Sequence, residues 1–260
     1  MAEHEIVHIA IAPPDTLGAG LIEKVAAIVN KDLYDTRLLL RGNIPRIITQ
    51  CQSIPTAESI VQSLRDLGLV AIICEDSELR KPSQSFVART MQFGEGEVLI
   101  WEKDGQTRRV GPDDVFLMLK GSMPTYTEAE STTTRMKFSL TATLLTGGIP
   151  IWRRVREKTR GVSVQDKCFA RLYSRGSSEP SVDIIQDYMD YSFLGEKMNY
   201  SSLANFGTVI AGLREIFPQA IFDERLMRPF DEHMPPATAL SELEVNCKLI
   251  YLCHLAASGL

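Results

Sequence analysis

The stretch from Ala57 to Cys74, AESIVQSLRDLGLVAIIC, holds a helix, a stop and a strand in direct succession. Ala57, Ile60, Val61, Leu64 and Leu67 recur at the spacing of one helical face. Gly68 follows where a helix commonly needs a residue that tolerates positive φ, so the helix ends there. Leu69 to Cys74 is then apolar at every position, which predicts a strand covered on both faces and internal to a sheet.

Upstream, Ile6 to Ala12 reads as a first strand ended by Pro13-Pro14. Asp15 or Thr16 is the expected N-cap of a helix in which Leu21, Ile22, Val25, Ile28 and Val29 share a face, ending near Asn30. Thr36 to Leu40 reads as a second strand and Arg41-Gly42-Asn43 as a break. Ile44, Ile47 and Ile48 suggest a short helix with Pro45 in its first turn. The chain restarts at Ser53 to Pro55 and enters the quoted helix. A polar segment from Leu79 to Ser85, with Pro82, closes this βαβααβ part, expected to span residues 1–82.

Beyond it the period changes from helical to alternating. Phe86 to Phe93 reads as a strand, and Val98 to Lys103 with Gln106 to Val110 as a hairpin turning at Asp104-Gly105. Pro112-Asp113-Asp114 suggests one helical turn before a strand at Val115 to Leu119. Thr134, Met136, Phe138, Leu140 and Ala142 alternate with polar residues, as in a half-buried strand. Gly147-Gly148 turns the chain into a return strand at Ile149 to Arg156, and Cys168 to Tyr173 is a further short strand. Leu203, Phe206, Ile210, Leu213 and Phe217 then line a helix stopped by Pro218. The expected boundaries are a β-rich domain at 83–227 closed by this helix, and a linker with a C-terminal helix at 228–260. Ser241 and Glu244 have capping-box spacing ahead of a stripe at Val245, Leu249, Leu252 and Ala256.

The fold class read from this order is α+β. The segment from Tyr34 to Asp76 resembles small α/β modules such as the C-terminal domain of the ribosomal stalk protein. The run of short antiparallel strands closed by a helix resembles the barrels of the pleckstrin-homology (PH-like) type. The layout as a whole resembles uncharacterised bacterial proteins that share it, and no activity follows from these resemblances. An internal echo pairs Leu38 to Pro45 with Leu117 to Pro124: each reads as an apolar element that breaks at glycine and restarts at proline.

With 44% hydrophobic and 23% charged residues in 260, the chain can build a sizeable core and is neither disordered nor fibrous in composition. Its net charge of −5 disfavours nucleic acid as a partner. Met1 to Glu5 is polar and acidic, and Ile6 to Ala12 is too short for the apolar segment of a leader, so the expected location is cytoplasmic. Cys51, Cys74, Cys168, Cys247 and Cys253 are odd in number and widely spaced, which reads as reduced, mostly buried thiols.

Catalytic signatures are sparse. Gly18-Ala19-Gly20 lacks the third glycine of a dinucleotide loop. Cys247, Cys253 and His254 share a helix at spacings better suited to packing than to one metal ion. Cys74 with Glu75 and Asp76 ends a strand, but nothing in the sequence brings His8 to it. Asp113-Asp114 and Asp231-Glu232 are paired carboxylates, and Asp183, Asp187 and Asp190 have the spacing of a solvated helical face. No catalytic set, metal ligand set or cofactor is therefore assigned.

Charge is the most uneven feature. Arg153, Arg154, Arg156, Lys158, Arg160, Lys167, Arg171 and Arg175 face only Glu157 and Asp166 within their stretch, and an acidic region follows. Three readings compete: internal neutralisation, a docking face for an acidic protein, and attachment to an anionic membrane or nucleic acid. Arg153, Arg154, Arg156, Lys158 and Arg160 are the candidate binding residues. They point to a non-catalytic adaptor or regulatory protein with an acidic protein partner. The alternative is an enzyme or small-ligand binder whose site lies between the N-terminal and middle parts.

Overall fold

Strand β1 (Val7–Ile11) is buried at every residue because both faces of its sheet are covered. The computed structural model describes residues 6–14, 16–138, 152–227 and 236–259. In the front sheet, β1 lies between β2 (Arg46–Cys51) and β3 (Ala71–Glu75), antiparallel to both. Helices α1 (Ala19–Val29), α2 (Leu33–Leu40) and α3 (Ile54–Arg65) supply Val25, Val29, Leu40, Ala57, Val61 and Leu64 to a core with Val7, Ile9 and Ile11. The opposite face, Ala10, Ile72 and Cys74, packs under Leu79 of α4 (Asp76–Arg80) and under Leu249 and Cys253.

Several local expectations change here. Thr36 to Leu40 belongs to α2: Asp32 caps it by accepting from the Asp35 amide, and the buried Thr36 and Leu40 are one helical turn apart. Ile44 to Ile48 forms no helix; Ile47, Ile48 and Thr49 are β-branched and stiff at χ1, and they lie in β2. The N-cap of α1 is Gly18, in place of Asp15 or Thr16, and it makes no side-chain cap. β3 stands at the edge of the hydrogen-bonded order, and its apolar run reflects cover on both faces instead.

The remaining strands form two open sheets. One has the order β11-β8-β9-β10-β4 and the other is the meander β5-β6-β7. Their strands are β4 (Phe86–Val87), β5 (Thr90–Phe93), β6 (Val98–Trp101), β7 (Thr107–Val110), β8 (Leu117–Phe138), β9 (Trp152–Tyr173), β10 (Val182–Ile185) and β11 (Ile221–Leu226). No closed barrel forms among the described residues. The β6–β7 hairpin turns as expected, with Gly105 at φ 86° and Asp104 Oδ1 accepting from the Gln106 amide. β8 and β9 are each 22 residues long and replace the shorter strands read from the sequence. The proposed break at Gly121 is therefore continuous strand. The Gly147-Gly148 turn and residues 228–235 of the linker lie outside the described residues.

α5 (Ser202–Ile216) is capped by Ser201 and lays Phe206, Val209, Ile210 and Leu213 onto one face of the five-stranded sheet and onto Met91, Val98 and Ile100 of the meander. The other face of that sheet meets α6 (Pro236–Ala257). α6 is apolar on two sides. Leu243, Cys247, Ile250 and Tyr251 join Phe169 and Tyr173 of β9, while Val245, Leu249, Cys253 and Ala256 join the underside of the front sheet. Because α6 begins at Pro236, Ser241 is interior to it and caps nothing. The chain divides into two compact units, 1–123 with 167–260, and 124–166. The fold class is α+β.

Candidate functional site

β11 is a polar-looking strand, Ile221-Phe222-Asp223-Glu224-Arg225-Leu226, held parallel to β8 with Asp223 opposite Leu119. The pairing with β8 shifts register between Asp223 and Leu226, and Arg225 folds back onto Asp223. There they meet His254, near the end of α6. Asp223 is 5% exposed, and its Oδ2 lies 2.7 Å from His254 Nε2 and 2.5 Å from Arg225 Nη2. Arg225 Nε donates to the same carboxylate at 2.8 Å and Nη1 to the Asn43 carbonyl at 3.2 Å. Burial alone would raise the Asp223 carboxyl. Hydrogen bonds from His254 and Arg225 outweigh it and hold the group well below the usual carboxylate range.

An ionised carboxylate only accepts, so Asp223 accepts from an Nε2-protonated His254 ring, and that nitrogen also lies 3.0 Å from Arg225 Nη2. In the neutral ring Nδ1 is then the acceptor, and no hydrogen bond to it forms among the described residues. Arg225 likewise retains an Nη1 hydrogen without an acceptor among them.

Arg225, Cys253 and His254 line a cleft of about 480 Å³. Its other walls are Ala12, Pro13, Pro14 and Thr16 after β1, Leu21 of α1, Leu67 to Val70 between α3 and β3, and Ala257. The Ala12 amide donates to the Val70 carbonyl at 2.9 Å and joins the two loops, while Gly68 takes φ 81° to make the second one. Most of the wall side chains are apolar, but polar atoms make up the larger part of the exposed lining. That volume falls within the range of small-molecule sites.

Other sequence candidates fall elsewhere. Arg153, Arg154, Arg156, Lys158 and Arg160 are all on β9, and their side chains lie outside the described residues. Further along β9 the internal-neutralisation reading applies. Lys167 is 2.6 Å from Asp187, and Arg171 pairs with Asp183 and Glu244. Asp183 is on β10 and directly opposite Arg171, so Asp183, Asp187 and Asp190 form no helical face.

Cys74 does stand opposite His8 in the β1–β3 ladder, and His8 Nε2 is 2.8 Å from Asp76 Oδ1. Burial and the nearby Cys253 push the Cys74 thiol up to about 12, which removes it as a nucleophile at neutral pH. Asp114 closes a 3-10 turn by accepting from the Gly111 amide, and Asp231-Glu232 lies outside the described residues. Among the described residues no group of three or more His, Cys, Asp or Glu is placed to hold a metal ion, and no helix is long and apolar enough to cross a membrane.

Asp223 and Arg225 were not singled out by sequence, because β11 itself was not. The available signal was Ile221, Phe222 and Leu226 directly after the Pro218 stop. No family model, curated protein or solved structure matches this chain.

Proposed function

We propose that this chain is a small-ligand-binding protein whose site is the cleft between the β1–α1 and α3–β3 loops and the Asp223–Arg225–His254 cluster. The observation carrying this reading is that a buried carboxylate clamps an imidazole and a guanidinium that line a cleft of about 480 Å³. Preorganised polar groups in a concave site are what fixes the orientation of a small molecule. The Asp223–His254 pair also has the form of a proton acceptor, since the carboxylate fixes the ring and leaves Nδ1 for a bound molecule. A thermal-shift screen of the full chain against a broad small-molecule library tests it. A ligand that raises the melting temperature, and loses that effect in Leu67→Trp, supports the cleft. A library with no stabilising compound removes the reading.

A second reading, an adaptor that docks an acidic protein, is favoured by the placement of Arg154, Arg156, Lys158 and Arg160 at alternate positions of β9. Five cations within the eight residues 153–160 make a local positive excess that attracts an acidic partner. Binding of poly-glutamate at low salt, lost on changing all five residues to Glu and retained in Arg153→Glu, supports it. Equal binding by all three proteins, or preference for anionic vesicles or duplex DNA over poly-glutamate, counts against it.

A further inference from the structure

Lys248 of α6 is only 3% exposed, and among the described residues no carboxylate is in ion-pair contact with it. Its Nζ donates instead to the Glu78 carbonyl at 2.7 Å and to the Lys81 carbonyl at 2.6 Å, at the C-terminal end of α4. We infer that Lys248 is a nucleophilic amine that forms an imine with a small uncharged aldehyde, in the pocket bounded by β3, α4 and α6. That pocket holds about 280 Å³ and shares no residue with the cleft at Arg225 and His254, so it is a second site.

The hydrogen count favours an amine that gives up its proton. An ammonium has three hydrogens, and the two carbonyls take two of them. The third position has no acceptor among the described residues. A neutral amine keeps two hydrogens, so it retains both contacts and holds a lone pair at the third position. Burial works in the same direction: it outweighs the attraction of Glu244, Glu179 and Glu78 and lowers the ammonium below the usual lysine value. A lysine desolvated in an apolar pocket is one of the recognised forms of activated nucleophile.

The pocket sets the class of partner. Ile73, Leu79 and Leu252 form its walls, and apolar atoms make up the larger part of its exposed lining. Cys74 also lines it, but its thiol, pushed up to about 12, does not compete as a nucleophile. Glu75 and Glu78 are the other charged groups of the lining, and they disfavour an anionic aldehyde. In the reaction, the Nζ lone pair attacks the aldehyde carbon and the carbonyl π pair moves to oxygen. Both nitrogen hydrogens pass to that oxygen, which leaves as water while the C=N bond forms. Amine and aldehyde thus give imine and water, with no other reactant. Protonated, the imine keeps one N–H for one of the two carbonyls.

Reductive labelling of the full chain at neutral pH tests this, with benzaldehyde and 4-carboxybenzaldehyde as matched probes, cyanoborohydride to trap the imine and peptide mass spectrometry to locate it. Benzaldehyde should modify Lys248 at least about tenfold ahead of the exposed Lys24, Lys31 and Lys103. The carboxylated probe should show a smaller preference for Lys248 over the same lysines. Unfolding in urea should erase the preference. Lys248→Met should lose the fast adduct, and the site-resolved labelling of the parent chain decides the matter even if that variant does not fold. Labelling of Lys248 no faster than the exposed lysines overturns the nucleophilic amine. An equal or greater preference for Lys248 with the carboxylated probe overturns the uncharged class of aldehyde.

Discussion

Arg171 of β9 holds Glu244 of α6 in two parallel hydrogen bonds, Nη1 to Oε2 at 2.9 Å and Nη2 to Oε1 at 2.5 Å. Arg171 is 4% exposed, and its guanidinium is shared with Asp183, whose Oδ2 is 3.3 Å from Nε. The two carboxyls respond differently. Burial raises both, but the Arg171 hydrogen bonds reverse the effect for Glu244 and not for Asp183, so Asp183 ends above its ordinary value and Glu244 below.

Arg171→Met should therefore be costly, because it leaves two carboxyls in the interior without their cation. The expected loss is about 3–5 kcal/mol, read as a lower urea midpoint with an unchanged slope. Asp183→Asn should lose much less, since Arg171 keeps Glu244 and a carboxyl held above its ordinary value is replaced by a neutral amide. Equal losses from the two variants would contradict this division of the pair.

Asp223 sets an acid limit. Its folded carboxyl is held below the ordinary aspartate value of about 3.9, so its contribution is complete above that value and disappears as pH falls through the lowered folded one. Asp223→Asn should lower the urea midpoint at pH 6. The gap from the parent protein should narrow steadily below about pH 4. A gap that is constant between pH 6 and pH 3 would show that the ionised form is not what stabilises.

Gly121 is required for close approach. A Cβ there would lie 2.6 Å from Phe169 Cζ and 2.8 Å from Leu226 Cβ. Gly121→Ala should cost about 1–3 kcal/mol by overpacking, and Gly121→Ala with Phe169→Leu should recover part of it. Unfolding curves of the single and double variants provide the check.

The cysteines should differ in reactivity. Burial pushes the thiols of Cys74, Cys247 and Cys253 up to about 12, whereas Cys51 is half-buried at the end of β2. Native alkylation at pH 8 should label Cys51 ahead of those three, which should react only after denaturation. Peptide mass spectrometry would show the order.

The long periodic segments were legible from sequence. α1, α3 and α5 carry enough apolar repeats to fix their type, and Gly68 fixed a boundary. Short apolar runs were not. Thr36 to Leu40 and Ile44 to Ile48 each fit either period, and the deciding facts were the Asp32 cap and the pairing of β2 with β1. The same limit hid the cleft. His254 looked like a packing residue on its own helix because its partner, Asp223, is 31 positions away on a strand with few apolar residues. Spacing within one element cannot report a meeting between two. The basic stretch was visible in composition, but its place on one strand running unbroken from Trp152 to Tyr173 was not.

The two-sided packing of α6 also has a temporal consequence. The helix leaves the ribosome after every strand it covers, yet it supplies Leu243, Cys247, Ile250 and Tyr251 to one core and Leu249 and Cys253 to another. Until it emerges, the underside of the front sheet and one face of the five-stranded sheet are both open to water. Neither layer can close before α6 has emerged. The nascent chain therefore exposes two apolar surfaces for as long as α6 remains in the exit tunnel, and it is then that chaperones have the most to hold.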